Sequence, residues 1–426
     1  MNTKHGETFT EKTRDWLEGR FRVNDGEIYR SHQPIYGVNE HCEHSEPDHL
    51  WRAAKTVQIM RVLSRLEFSS ILDVGAAEGY TANLVKKFFD VDVVVSDVSH
   101  EAMLRARDLF GLHGVSLNAS NLPFKDNSFD VVICAECIEH LENPYELLLD
   151  AARVARKCLI ISTVEGRGCY PASWLQVYRL PIDEPHGHRS NWCRRDFEKM
   201  FGSRVVTTCQ NIVQPWTRLE DDFATLKSVT VPPPLPHIGE GIIMHVLFDE
   251  LICRANPRWS DDELIRGVLD FNVELRPATV PPENEPPPQS VVEILQCPGC
   301  RKGSLTFRDG SLFCNVCAKS YSSKGGVPDL FESEPANLEE LAQQTKLGTK
   351  PGVRERLHWA RKQTRRYNRE PRIKSAWINY YIIGRLIQFI EHVNVHSGFK
   401  AKFGFVVGKV IPWLKPSPDF PRPDNN

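Results

Sequence analysis

The sequence lacks an excess of charge of either sign: 53 basic side chains stand against 55 acidic ones, a formal net charge of -2. Attraction of the whole chain to nucleic acid or to an anionic membrane is therefore excluded as a basis for function, and charge has to be read locally. Long apolar runs are missing too. The apolar and aromatic stretch Trp377 to Ile390 is interrupted by Arg385 and falls short of the ~20 residues that a spanning helix needs. Met1 to Trp16 is polar and shows no charged-then-apolar leader, so a reducing cytoplasm is the expected setting. No internal repeat of fixed period is present. What remains is a chain of 426 residues, 41% hydrophobic and 25% charged, which can bury a real core and fill two to four domains. That composition rules out a wholly disordered, collagen-like or multi-span chain. The 12 cysteines, in a long chain without a leader, are expected to be free or metal-bound.

Local patterning divides the chain into five stretches. Residues 1–50 are polar, His-rich and without a strong period, and form an N-terminal segment or lid. Residues 51–255 open with helical apolar spacing at Ala54, Val57, Ile59, Met60, Leu63 and Leu66. Short apolar runs then alternate with helical segments: Ile71–Val74, Val91–Ser96, Val115–Leu117, Phe129–Cys134 and Cys158–Ser162 read as strands. Such alternation predicts an α/β fold with a doubly wound, mostly parallel sheet covered on both faces. Arg204–Gln210 and Gly241–Phe248 would add a hairpin-like edge, separated by an insertion whose Val231–Pro236 stretch is too Pro-rich for a central strand. Residues 256–290 hold one more helix and a stiff linker, with six prolines between Arg276 and Gln289. Residues 291–332 carry four cysteines, and 333–426 form a basic, aromatic, helical tail.

In an open α/β sheet, ligands sit beyond the carboxyl ends of the strands. Asp73-Val74-Gly75-Ala76-Ala77-Glu78-Gly79 lies between the first strand and its helix, where small residues admit a ligand close to the backbone. The second strand ends at Asp97, a carboxylate able to accept both hydroxyls of a ribose. This spacing alone also fits a dinucleotide enzyme. Taken further, the run Leu72–Gly79, then Ser96–Ser99 with Met103–Arg107 behind it, then Asn118–Asp130, then Glu139–Pro144, resembles the class I S-adenosylmethionine-dependent methyltransferases. The likeness is greatest to the branch that contains the quinone-biosynthesis enzymes. It implies S-adenosylmethionine as cofactor, held by Asp73, Gly75, Ala76, Ala77, Gly79, Asp97, Val98, Asn118 and Ala119. Within that set Gly75 and Gly79 would admit the methionine and sugar, Asp73 would orient the amino group, Asp97 would hold the ribose, and Asn118 and Ala119 would flank the adenine. Two departures stand out: Ala77 replaces the usual central glycine, and Asn118 the usual aspartate.

Methyl transfer is an in-line displacement that needs positioning, plus a base only when the nucleophile must lose a proton. The resemblance makes His140 the candidate base and leaves Glu139 a structural role. Cys134-Ala135-Glu136-Cys137 stands where amino-group methyltransferases of adenine, cytosine or glutamine carry Asn/Asp-Pro-Pro-Tyr, which argues against that chemistry. The His-rich turn Pro185–Trp192 is placed to cover an acceptor. His41, Cys42, His44 and His49 offer metal-type ligands, but without regular spacing.

Cys297-Pro-Gly-Cys300 and Cys314-Asn-Val-Cys317 are two C-x-x-C knuckles, the pattern of a tetrahedral, closed and hence structural Zn2+ cage. Between them Asp309-Gly310 marks a hairpin turn. This segment resembles the small zinc-ribbon activators of tRNA, rRNA and release-factor methyltransferases, carried in cis. The tail has eleven Lys or Arg against two Glu between Thr345 and Lys374, suited to phosphates of RNA or to a membrane surface. The expected function is methyl transfer to a small-molecule, glycan or lipid-linked acceptor. RNA or a translation protein is the second choice, and a cofactor-binding scaffold without activity the third. No obligate protein partner is indicated.

Overall fold

The computed structural model describes residues 8–42, 45–164, 187, 189–190, 192, 194–210, 219–230 and 241–344. The tail beyond Gln344, most of the His-rich turn, the Pro-rich insertion at 231–236 and His44 lie outside these residues.

Strands β1 (Ser70–Val74), β2 (Asp92–Asp97), β3 (His113–Ser116), β4 (Phe129–Ala135), β5 (Ala155–Val164), β6 (Val205–Gln210) and β7 (Gly241–Leu247) form one sheet in the order β3-β2-β1-β4-β5-β7-β6. The first five run parallel, and β7 lies antiparallel between β5 and β6. Helices α3 (Tyr80–Phe89), α4 (His100–Phe110) and α5 (Pro144–Val154) make the crossovers. The parallel strands read as continuous apolar runs because both faces are buried. Successive side chains go to opposite faces. Leu72, Val74, Val132, Cys134, Leu159 and Ile161 enter one core, and Ile71, Val93, Val95, Val131, Ile133 and Ile160 the other. Strand order reverses at β1 and β4, which opens a crevice at their carboxyl ends.

Two features go beyond what local patterning specified. The N-terminal segment is ordered around α1 (Phe9–Phe21), whose capping box joins Thr8 and Glu11. Only Leu17 and Phe21 of this helix are buried, so it leaves no apolar period to read. Polar ties hold it instead. Glu18 accepts from Ser99 Oγ (2.9 Å) and from the N–H groups of His100 (2.8 Å) and Glu101 (2.9 Å), capping α4. The helix that follows, α2 (Glu46–Leu63), packs its apolar side on the sheet.

The cysteine-bearing segment, second, is docked on the central sheet. Strands β8 (Leu305–Arg308), β9 (Ser311–Cys314), β10 (Ser320–Lys324) and β11 (Val327–Pro328) make an antiparallel sheet. Asp309 (φ 47°) and Gly310 (φ 76°) form the tight turn between β8 and β9. Leu295, Leu312, Tyr321 and Leu330 share one core with the central sheet. Leu330 N donates to Ser116 O (2.8 Å), so the chain leaving β11 extends the β3 edge. Gln296 N to Pro123 O and Lys125 N to Ile294 O (both 2.9 Å) fasten the other side. Below them the fully buried Asp150 accepts from Arg301 Nη2 (3.0 Å), Arg153 Nε (2.6 Å) and Leu122 N (2.7 Å). Removing one member of such a buried network leaves the others uncompensated, at a cost of roughly 3–5 kcal/mol. Asp150→Ala should therefore lower the unfolding free energy obtained from urea titration by that much; an unchanged midpoint would show that the cluster does not hold the ribbon to the sheet.

Candidate functional site

The turn after β1 is shaped by three residues of positive φ, Gly75 (73°), Ala77 (50°) and Gly79 (81°). A Cβ at Gly75 would meet Cys137 Sγ at 2.8 Å, so glycine is required there. Ala77 holds a left-handed conformation that costs a non-glycine residue roughly 1–2 kcal/mol. This accounts for glycine being the more usual residue at that point of the motif. The strain is held by Asp97, whose Oδ2 accepts from Ala77 N (3.0 Å) while Oδ1 accepts from Ser99 N (3.1 Å). One carboxylate thus pins both turns and keeps lone pairs for a diol. Burial pushes Asp97 up to about 6, against the pull of the Ser99 and Ala77 N–H groups. Burial also lifts Asp73 to about 7, with Arg52 opposing.

A cavity of about 530 Å³ opens over this crevice. Of the residues expected to bind cofactor, Gly75, Ala77, Asp97, Val98, Asn118 and Ala119 line it, as does His140. Asp73, Ala76 and Gly79 do not, and support the wall from behind. Asn118 is already engaged: its Nδ2 donates to Glu332 O (2.9 Å) and Ser333 O (3.3 Å), and its Oδ1 accepts from Ser120 N (3.0 Å). An aspartate could not donate to those carbonyls, so the departure from the motif fits the chain leaving the ribbon. Gly187 brings the His-rich turn to the same cavity. Arg189 N and Ser190 N fasten that turn to Glu139 O at 2.6 and 3.1 Å.

Several lining residues gave no sequence signal. Arg52 and Lys55 sit one turn apart on α2 and face the cavity. Arg52 Nη1 donates to Gln33 Oε1 (2.9 Å), while its buried Nε has no partner, suiting it to a carboxylate such as that of an amino-acid cofactor. Lys55 Nζ is 3.1 Å from Glu136 Oε2 and 3.7 Å from the centre of the Trp51 ring. Glu78, within the first turn, is a latch: its Oε1 accepts from Tyr29 OH (2.7 Å), His32 N (2.6 Å) and Gln33 N (3.0 Å), drawing the N-terminal segment over the site. Arg52 and Lys55, set among the apolar positions of α2, could have been noticed in the sequence; the partners of Glu78 could not.

In the ribbon, the Sγ atoms of Cys297, Cys300, Cys314 and Cys317 all lie within 4.8 Å of one another. The Cys297–Cys317 and Cys300–Cys314 separations are 3.6 and 3.7 Å. A tetrahedron with metal–sulfur bonds of about 2.3 Å has edges of about 3.8 Å, so the donor set fits a zinc ion. Val316 N and Cys317 N donate to Cys314 Sγ. Burial opposes ionisation of Cys314, but those N–H groups outweigh it and bring the thiol down to about 6. Among the described residues this is the only grouping of three or more candidate metal ligands. His49 instead bonds Ile35 O through Nδ1 (2.6 Å).

Residues 72–158 match the family model described as Methyltransferase domain. The chain is 30% identical over 93 residues to ajmaline N-methyltransferase of Rauvolfia serpentina, covering 20% of this chain and 32% of that protein. It is 32% identical over 117 residues to 2-methyl-6-phytyl-1,4-hydroquinone methyltransferase 2, chloroplastic, of Oryza sativa subsp. japonica, covering 25% and 32%. The chain thus spans about a third of the length of these curated relatives. A solved complex of the Haloferax volcanii Trm112 methyltransferase activator and a methyltransferase shares 15% identity at a TM-score of 0.33, covering 47% of this chain and 90% of that one. The match over 72–158 thus falls on the doubly wound sheet and includes Asp97, the pinned carboxylate that ends β2.

Because only an ionised carboxylate can accept two hydroxyls, a nucleoside held by Asp97 should lose affinity below pH 6, limiting at about tenfold per pH unit. Calorimetric titration with S-adenosylhomocysteine checks this. Asp97→Ala should lose about 100-fold or more in affinity, as two charge-assisted hydrogen bonds disappear. Asp97→Asn should show no step near pH 6. Wild-type affinity that is flat through that pH would remove Asp97 from the ribose.

Proposed function

We propose that this protein is an S-adenosylmethionine-dependent methyltransferase acting on a small-molecule, glycan or lipid-linked acceptor, with a structural zinc ion in its ribbon. The observation that carries this reading is the carboxylate of Asp97, held by Ala77 N and Ser99 N at the rim of the crevice. Such a group suits a ribose. Gly75 leaves backbone room for the methionine portion, and the half-buried Arg52 offers a cation for its carboxylate. The donor supplies an electrophilic methyl group on a sulfonium. The chain's own contribution is to orient it, exclude water beneath α1 and α2, and handle the acceptor's proton.

Roofing by the N-terminal segment favours an acceptor whose reacting end enters a closed space. Tyr29, His32 and Gln33 are drawn down on Glu78, leaving about 530 Å³ for donor and acceptor together. The ribbon supports the second reading, RNA or a translation protein, only as an in-cis stabiliser, because its described contacts are with the sheet and the helices around it. We place the protein in the cytoplasm, with the basic tail as the part that would meet an anionic surface.

Incubation with isotopically labelled donor and fractionated cell extract tests the acceptor class. Label should enter low-molecular-weight or lipid-soluble material; label in nuclease-sensitive material would favour the second reading instead. For the metal, Cys300→Ser should lower zinc content from about one ion per chain towards none by elemental analysis, since the site needs all four sulfurs. Because Leu295, Leu312 and Leu330 share a core with the sheet, hydrogen exchange should quicken in β3 as well as in the ribbon. Undiminished zinc content would remove the metal assignment.

A further inference from the structure

The wall of the cavity at the carboxyl end of β4 carries ionisable groups that binding of the donor does not use. Glu136 is the first residue after β4 and is held at φ 52°, a conformation that L side chains adopt at a cost and that recurs where a site dictates the backbone. Its Oε1 accepts from Ser162 Oγ (2.7 Å), and its Oε2 faces Lys55 Nζ at 3.1 Å. Glu139, fully buried, accepts from Thr163 Oγ1 (2.9 Å) through Oε2, while its Oε1 has no hydrogen-bond partner. Both carboxyl groups line the same cavity as Gly75, with His140 beside them. Lys55 pairs with Glu136, whose anion the His140 ring also favours, whereas Glu139 Oε1 is left without a donor. A buried carboxylate oxygen without a donor is expensive unless a ligand supplies one. Burial, and then the neighbouring Glu136, push Glu139 up to about 8 as the wall stands, as expected of a carboxyl group awaiting a cation.

We propose that Glu136 and Glu139 are the seat of the acceptor's nucleophile, and that this nucleophile is an amine which enters as an ammonium and donates its N–H groups to the two carboxylates. This rests on the methyl-transfer reading above and assigns the acceptor's reactive group. The amine gives one proton to a carboxylate of the pair and regains its lone pair. Nitrogen then attacks the donor's methyl carbon in line. The N–C bond forms, the S–C bond breaks with its electrons remaining on sulfur, and the sulfonium becomes a neutral thioether. The methylated ammonium leaves, and the carboxyl group returns its proton to solvent. Glu136 and Glu139 are catalytic residues in this step; Lys55 positions Glu136.

The test needs no knowledge of the natural acceptor. Sinefungin is a donor analogue with a primary ammonium on carbon where the donor has a methyl on sulfur, so its N–H groups occupy the nucleophile's approach. S-adenosylmethionine carries the same charge without those donors, and S-adenosylhomocysteine carries neither. Calorimetric titration of the full chain should give sinefungin about tenfold or more tighter binding than both others, the worth of one charge-assisted hydrogen bond. Glu136→Gln and Glu139→Gln should each reduce that preference while leaving S-adenosylhomocysteine affinity unchanged. Sinefungin binding no more tightly than S-adenosylmethionine to the wild-type chain overturns the proposal, as does a preference that survives both substitutions. A wild-type chain that binds none of the three compounds overturns the methyl-transfer reading itself.

Discussion

One hydrophobic face, shared between the central sheet and the ribbon, is the constraint from which the remaining geometry follows. Leu72, Val74, Val132 and Leu159 lie on that face, and Leu295, Leu312, Tyr321 and Leu330 join their core. Burial of apolar area is worth roughly 25 cal/mol per Å², so a face of this extent outweighs any single polar contact. The hydrogen bonds at Ser116, Pro123 and Lys125 then fix the register in which the two parts meet. Arg301 and Asp150 add charge that is costly to uncouple.

This docking reaches the cavity through the chain that leaves β11. Glu332 and Ser333 hold Asn118 by their carbonyls, while Asp329 meets Arg14 of α1 at 2.6 Å. Arg14 in turn stacks on Phe331. The ribbon, the roof helix and the Asn118 side of the crevice are therefore tied through neighbouring residues. A metal holding the four thiolates would act on the site at one remove, by fixing β9 and β10 and through them the segment that contacts Asn118.

The parts legible in the sequence are those whose physics is local. Ile71–Val74 is apolar on both faces and announces a buried parallel strand; Gly75 and Gly79 mark a tight turn; Asp97 ends the next strand. Two C-x-x-C knuckles carry their own geometry. Long-range physics hides the rest. α1 buries two side chains and is held by hydrogen bonds to residues some eighty positions away, which no periodicity records. The apolar positions 54 to 66 revealed α2, yet the cations it brings to the cavity are Arg52 and Lys55, whose placement depends on Gln33 and Glu136. Glu139 reads as structural from its motif, and only the unpartnered oxygen facing the cavity suggests more.

The contact between Arg14 and Asp329 joins residues 315 positions apart, and Ile28 pairs with Pro277 across a comparable span. Loop closure of that length is entropically unfavourable and slows the barrier crossing that depends on it. On a ribosome, the first helix emerges long before its partners exist. The sheet has its strands β1 to β5 available early, whereas the roof cannot be completed until synthesis has passed residue 329. The crevice over β1 and β4 is therefore among the last regions of this chain to mature, and a nascent chain arrested before the ribbon would display an open and incomplete pocket.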